Sequence, residues 1–87
     1  MTQLATYIAD NGKDLTINGR SFTVDGISRD ADIAVATFKT LRASYFGVLC
    51  VNARVPGRPG AEVWSIVGGK RTLATFAIHE GALLTIR

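Results

Sequence analysis

The stretch 30–45 constrains the fold most, because its apolar residues recur with helical rather than strand spacing. At about 100° per residue, one side of a helix there carries Ala31, Ala34, Phe38, Leu41 and Tyr45, with Val35 at the edge. Ser28 or Asp30 can cap its start, and Gly47 marks its end. The spacing predicts one amphipathic helix packed on the rest of the chain, with Phe38 and Tyr45 interpreted as core residues rather than as contacts to a cofactor.

The residues before this stretch predict short strands joined by tight turns. Residues 4–9 form either a first strand or a loose end, and both interpretations stay open. Asn-Gly pairs at 11–12 and 18–19 are strong two-residue hairpin signals, because both residue types tolerate positive φ. Segments 15–17 and 20–25 are the strands that these turns connect, and Gly26 is expected to break the second of them.

The C-terminal half predicts a four-stranded antiparallel meander. Residues 46–55 are apolar on both faces, which is typical of a central strand, and the two Pro-Gly steps at 56–60 predict a projecting turn. Strands over 61–67, 71–78 and 82–86 follow, separated by turns at 68–69 and 79–81. We therefore predict a single α+β domain over residues 1–87, one helix packed on an antiparallel, meander-rich sheet in the order ββ(β)-α-ββββ.

Composition indicates a small, ordered domain. With 87 residues the chain has one modest core, and a large enclosed active site is not expected. A hydrophobic fraction of 47% argues against disorder. No apolar run approaches about 18 residues, and no leader of signal-peptide type opens the sequence. We expect no membrane span, no signal peptide and a cytoplasmic location.

Reactive residues are too few and too scattered to predict catalysis. Cys50 is the only cysteine, which excludes an internal disulfide and a Cys-rich zinc site, and we expect it to be buried. The only histidine, His79, lies in a different segment. No paired acids, metal-ligand spacing or Ser/His/Asp set is present in the sequence. We expect no enzyme activity, no catalytic residue, no metal and no cofactor.

The excess of positive charge lies in the C-terminal half. The formal charge is +3, and residues 1–43 carry five acids and five bases. The candidate binding residues are therefore mainly exposed bases: Arg54, Arg58, Lys70 and Arg71, with Arg42 and Trp64 added. Arg42 either covers apolar surface with its stem or contacts a partner, and Trp64 either packs in the core or anchors a partner at the surface.

Two glycine-containing motifs in this half have local structural explanations. Residues 57–60 match the GxxG form that clamps a nucleic-acid backbone in KH domains, but predicted strands flank it and Pro59 removes an amide donor. Residues 68–71 open a predicted strand rather than a helix, so they are interpreted as a hairpin turn with a basic flank rather than as a phosphate-binding loop.

The predicted order of elements is a strand carrying the segment Gly-Arg-Ser-Phe-Thr-Val-Asp at 19–25, then one amphipathic helix, then a meander. This order resembles the architecture of small phage-borne anti-CRISPR proteins of α+β type, above all those acting on type I surveillance complexes. The likeness covers residues 19–55 and supplies no family binding residue. It implies a non-enzymatic inhibitor that covers a functional surface of a Cas complex. Many such inhibitors are acidic DNA mimics, so this basic chain is expected to contact an acidic protein face or nucleic acid instead.

Three hypotheses for function follow. The leading hypothesis is a small non-enzymatic binding protein from a phage or mobile element that inhibits a host protein or nucleoprotein complex, with Cas proteins as candidate partners. The second is a sequence-nonspecific nucleic-acid-binding protein. The third is a homo-oligomeric structural or assembly subunit, because an edge strand at 82–86 could pair with another copy.

Overall fold

Successive strands of this protein pair with one another from the first to the last. The computed structural model describes residues 2–30 and 33–86. Its elements are α1 Gln3–Asn11, β1 Asp14–Ile17, β2 Arg20–Asp30, β3 Ile33–Lys39, β4 Ser44–Leu49, β5 Glu62–Gly68, β6 Arg71–His79 and β7 Ala82–Ile86. Each strand is antiparallel to the next, and the seven-stranded sheet in the order β1 to β7 curls into a nearly closed barrel. The coarse prediction of one helix with an antiparallel meander is confirmed, although the short helix makes the domain mainly β.

The predicted helix over 30–45 is wrong, because this stretch contains the last residue of β2, all of β3, the loop 40–43 and the start of β4. Ala34, Ala36 and Phe38 alternate into the core, while Leu41 is fully exposed in the loop. A spacing of four residues satisfies a period of two as well as a helical period, which explains the error. Of the residues assigned to that helix, Ala31 and Asp32 lie outside the described residues.

The single helix lies instead at the N-terminus, where a strand or a loose end was predicted. Thr2 caps α1 by accepting a hydrogen bond from the Ala5 amide, and Gly12 ends the helix with φ 94° and its amide bonded to the Ile8 carbonyl. The pair Asn11-Gly12 is therefore a helix end and not a hairpin. Leu4 is buried, and Tyr7 and Ile8 pack against the core.

The other turn signals have mixed outcomes. The hairpin at Asn18-Gly19 is confirmed, with φ values of 53° and 77° that suit a two-residue turn between β1 and β2. The turn at Glu80-Gly81 between β6 and β7 is likewise present. Gly26 does not end its strand, because β2 continues through it with a register shift between Val24 and Gly26.

The predicted C-terminal strands are confirmed as β5, β6 and β7, with small differences at their ends. The strand predicted over 46–55 is shorter, because β4 ends at Leu49 and residues 50–61 form a loop of successive turns. Inside the barrel, the described core consists of apolar side chains from α1 and from β1, β2, β3, β5 and β6: Leu4, Leu15, Ile17, Phe22, Val24, Ala34, Ala36, Phe38, Trp64, Ile66, Ala74, Phe76 and Ile78.

Gly47 lies inside β4 and does not end a helix. It faces the core, and a Cβ atom at this position would overlap the ring of Phe38. That ring cannot easily move, because it makes edge-to-face contacts with Phe22 and Phe76 at centroid distances of 6.4 and 5.9 Å. Glycine therefore makes the room for the central aromatic cluster.

We expect Gly47→Ala to lower the free energy of unfolding by about 1–3 kcal/mol, because the added methyl group overpacks the core. Urea denaturation followed by tryptophan fluorescence measures this change. Gly26→Ala is the matched control, since no heavy atom lies within 4 Å of a Cβ there. Equal destabilisation by both variants would contradict the explanation.

Candidate protein-binding surface

The outward side of β3, β4 and β5 is partly apolar, and its one charged residue, Lys39 at the end of β3, pairs with Asp25. The cross-strand register places Thr37 beside Phe46 and Phe46 beside Val67, with Val35, Val48 and Ser65 in the next row. We call these six residues (Val35, Thr37, Phe46, Val48, Ser65 and Val67) the Phe46 face. Phe46 is 68% exposed and Val48 is 39% exposed. An exposed phenyl ring among neutral neighbours is the kind of anchor that protein interfaces use.

A shallow depression of about 220 Å³ lies directly beside Phe46. It is lined by Gly26, Ile27, Ser28, Val35, Ala36, Thr37 and Phe46 itself. The register shift in β2 puts Gly26 opposite Thr37, and because Gly26 has no side chain the outer surface is hollow at this point. The Phe46 face therefore offers both a projecting ring and a hollow next to it.

The uncharged surface continues onto the last two strands. On β6 and β7 the residues that follow Ser65 and Val63 of β5 in register are Thr75, Ala77, Leu84 and Ile86. Val63 and Ala77 are buried, so only Thr75, Leu84 and Ile86 add partly exposed surface. This surface was not predicted, because residues 46–55 were interpreted as a central strand covered on both faces. The available signal was the run of residues apolar on both faces, since one short helix cannot cover the outside of a seven-stranded sheet.

Basic side chains gather at one end of the barrel. The connections β1–β2, β3–β4 and β5–β6 all lie at this end, because odd-numbered strands finish there and even-numbered strands begin there. The bases in or next to these connections are Arg20, Lys39, Arg42, Lys70 and Arg71, and we call them the basic end. Two acids lie nearby. Asp14 accepts a hydrogen bond from the Thr23 hydroxyl at 2.8 Å. Asp25 forms an ion pair with Lys39 at 3.2 Å.

The structure therefore divides the predicted basic residues into two groups. Arg42, Lys70 and Arg71 lie at the basic end, with Arg42 exposed in the loop 40–43 and not on a helix. Arg54 and Arg58 lie in the β4–β5 loop at the other end of β5. The five residues do not form one patch, because the length of β5, about 20 Å for seven residues, separates the two groups.

The β4–β5 loop is held by contacts to its own backbone and to its neighbours. Arg54 donates from Nη1 to the carbonyls of Val51 and Ala53 at 3.3 and 3.0 Å, so its guanidinium already stabilises the loop. Gln3 of α1 donates to the Gly60 carbonyl at 2.8 Å. His79 is partly buried, and its Nε2 atom lies 3.1 Å from the Pro59 carbonyl oxygen.

Trp64 is not a surface anchor. It is 0% exposed, and its indole Nε1 donates to the Glu62 carboxylate at 2.8 Å. The same carboxylate accepts hydrogen bonds from the amides of Gln3 and Leu4 at 2.8 and 2.9 Å, so it joins the first turn of α1 to the start of β5. The core-packing interpretation of Trp64 is correct, because alternation along β5 directs Trp64 and Ile66 inward.

The reactive residues have separate local partners. Cys50 is partly buried, and its Sγ lies 3.4 Å from Oγ of Ser65. Within residues 2–30 and 33–86 no group of three or more His, Cys, Asp or Glu side chains is arranged to hold a metal ion. In the same part of the chain no helix has the length and apolar character needed to cross a membrane.

Together these features define a small antiparallel barrel whose core is completed by one N-terminal helix and whose outer wall carries a neutral, partly apolar surface. Comparison of the chain with protein-family models, with curated proteins and with solved structures gave no match. The surface itself therefore carries the functional argument.

Proposed function

We propose that this protein is a non-enzymatic binding module that acts by docking its Phe46 face against another protein surface. The observation that carries the proposal is the exposure of Phe46 and Val48 among uncharged neighbours in the same rows of the sheet. Leaving a large phenyl ring in water costs free energy of about 2 kcal/mol relative to burying it. A partner that covers this face recovers that free energy.

If the partner is a host protein, docking of the Phe46 face would inhibit the complex to which that partner belongs. The proposal includes a phage-encoded inhibitor of a Cas surveillance complex, which would cover a functional surface of that complex without chemistry. Such a partner would offer an apolar socket for Phe46. Acidic residues beside the socket would lie near Arg42, Lys70 and Arg71, because Phe46 is two residues from the start of β4 at the basic end.

The test is binding by purified components with a matched pair of variants. Phe46→Asp places a charge on the face, whereas Val51→Asp changes a comparably exposed apolar residue in the β4–β5 loop outside it. We expect a partner isolated on the wild-type protein to bind Val51→Asp with unchanged affinity and Phe46→Asp at least about tenfold more weakly. Equal affinity of the two variants would overturn the proposal. Restored interference in phage plating with Phe46→Asp tests the inhibitor form.

A second candidate function, nucleic-acid binding, is favoured by the basic end. Four of its cations, Arg20, Arg42, Lys70 and Arg71, are exposed around three neighbouring connections. If all four contact phosphates, the logarithm of the binding constant should fall with the logarithm of salt concentration with a slope of about −3 to −4.

Charge reversal at the two ends of β5 separates this candidate from general electrostatic attraction. We expect Lys70→Glu with Arg71→Glu to weaken binding to a mixed-sequence DNA or RNA by about tenfold or more in low salt and to reduce the salt slope by about two. Arg54→Glu with Arg58→Glu changes the net charge equally at the other end and should have a smaller effect. Fluorescence anisotropy measures both. Equal losses would indicate binding without a defined site.

A further inference from the structure

We infer that the partner of the Phe46 face is a second copy of this chain, in a two-fold dimer in which Phe46 of each copy occupies the depression of the other. This inference rests on the proposed function, because it names the protein that covers the same face. Three properties of the face bear on the dimer: its shape, its charge and its size.

The shape of the face is self-complementary. A two-fold interface requires that one patch contain both the projection and the hollow that receives it. Phe46 projects, and the depression beside it measures about 220 Å³. An apolar cavity of about 150 Å³ is large enough to hold benzene, so a phenyl ring fits. The hollow is bordered by Val35, which would give the incoming ring an apolar contact.

The charge of the face permits contact between identical molecules. Each chain carries a formal charge of +3, so most surfaces of two copies repel one another. The six residues of the Phe46 face carry no charge, and neither do the outward residues that continue it on β6 and β7. The cation on the same side of β3, Lys39, is paired with Asp25 at 3.2 Å, so two copies can meet at this face without bringing unpaired bases together. Thr37 can hydrogen-bond across the contact as donor or acceptor.

The size of the face predicts a weak dimer. Strands lie about 4.8 Å apart, so the five strands from β3 to β7 present a face about 20 Å across. Curvature of the barrel leaves only part of this width in contact with a second copy. A stable interface buries about 800 Å² on each partner, and this face offers less because Val63 and Ala77 are already buried. We therefore expect a weak monomer–dimer equilibrium with a dissociation constant in the micromolar range.

Sedimentation equilibrium on the full chain tests the inference over a range of protein concentrations. We expect the wild type and Leu41→Asp to shift from monomer to dimer together. Phe46→Asp should raise the dissociation constant at least about tenfold, because it removes the projection and places a charge in the hollow. Gly26→Leu should also weaken the dimer by filling the hollow, and it leaves Phe46 in place. The Gly26 position has room for a Cβ within one molecule, so this variant is expected to fold.

Each outcome distinguishes the inference from the proposed function on which it rests. A wild type that remains monomeric at about 0.5 mM overturns the dimer, since a micromolar equilibrium would be visible there; Phe46-dependent binding of another protein would then still support the proposed function. If Phe46→Asp still dimerises and Leu41→Asp does not, the contact between the two copies lies at the basic end, and the inference is overturned. Dimers that tolerate Gly26→Leu overturn the seating of Phe46 in the hollow.

Discussion

Replacing Phe38 by alanine is expected to lower the free energy of unfolding by about 3–5 kcal/mol, which is a large part of the stability of a domain this small. Phe38 has no exposed surface, and its ring lies between Phe22 and Phe76 over the backbone of Gly47. Truncation removes these contacts and leaves a cavity in the middle of the barrel that the surrounding sheet cannot close. Urea denaturation at equilibrium measures the loss.

Phe46→Ala is the matched control for this prediction. The two phenylalanines lie on neighbouring strands, but Phe46 points outward and is 68% exposed. Its replacement should change the free energy of unfolding by no more than about 0.5 kcal/mol, as is usual for surface positions. If both variants lost the same stability, Phe46 would be a core residue and the proposed docking surface would not exist.

Replacing Glu62 by alanine is expected to lower the free energy of unfolding by about 2–3 kcal/mol. One carboxylate satisfies the amides of Gln3 and Leu4, the first two donors of α1, and also the indole of Trp64. Its negative charge additionally suits the positive end of the helix dipole. Alanine leaves all three donors without this acceptor, and the helix loses its connection to the start of β5.

Hydrogen exchange distinguishes this mechanism from a general loss of stability. In Glu62→Ala the amides of α1 should exchange faster relative to those of the central strands than they do in the wild type. Glu80→Ala is the control, because Glu80 is an exposed acid in the β6–β7 turn. Uniform acceleration of exchange throughout the protein would contradict a local role for Glu62 at the helix.

The charged connections illustrate how far a sequence can locate a surface. The charge count along the chain assigned the positive excess to the C-terminal half, and the sequence does carry its net charge of +3 there. The barrel redistributes it, because Arg20 and Arg42 from the first half join Lys70 and Arg71 at one end, while Arg54 binds carbonyls of its own loop. Strand direction, not position in the sequence, decided this grouping.

By itself the sequence determined the turns at 18–19 and 80–81 and the antiparallel order of the C-terminal strands, but it did not locate the helix. Asn18-Gly19 and Glu80-Gly81 turn the chain because of backbone preferences that act within a few residues. The sequence also contained local signals for α1, because Thr2, the spacing of Leu4, Tyr7 and Ile8, and Gly12 are together typical of a capped helix. The pair Asn11-Gly12 is also a hairpin signal, and this second interpretation was chosen instead.

Only the tertiary structure decided which apolar residues are inside. Ala34 and Phe38 fit a helix and a strand equally well, and the choice depends on pairing with β2 and β4 on either side. Phe38 and Phe46 are the same residue type on adjacent strands, yet one fills the core and the other lies in water. The physical reason is that burial depends on what covers each face of the sheet: the curled sheet and α1 enclose the inner face, and nothing within the described residues of one chain encloses Phe46.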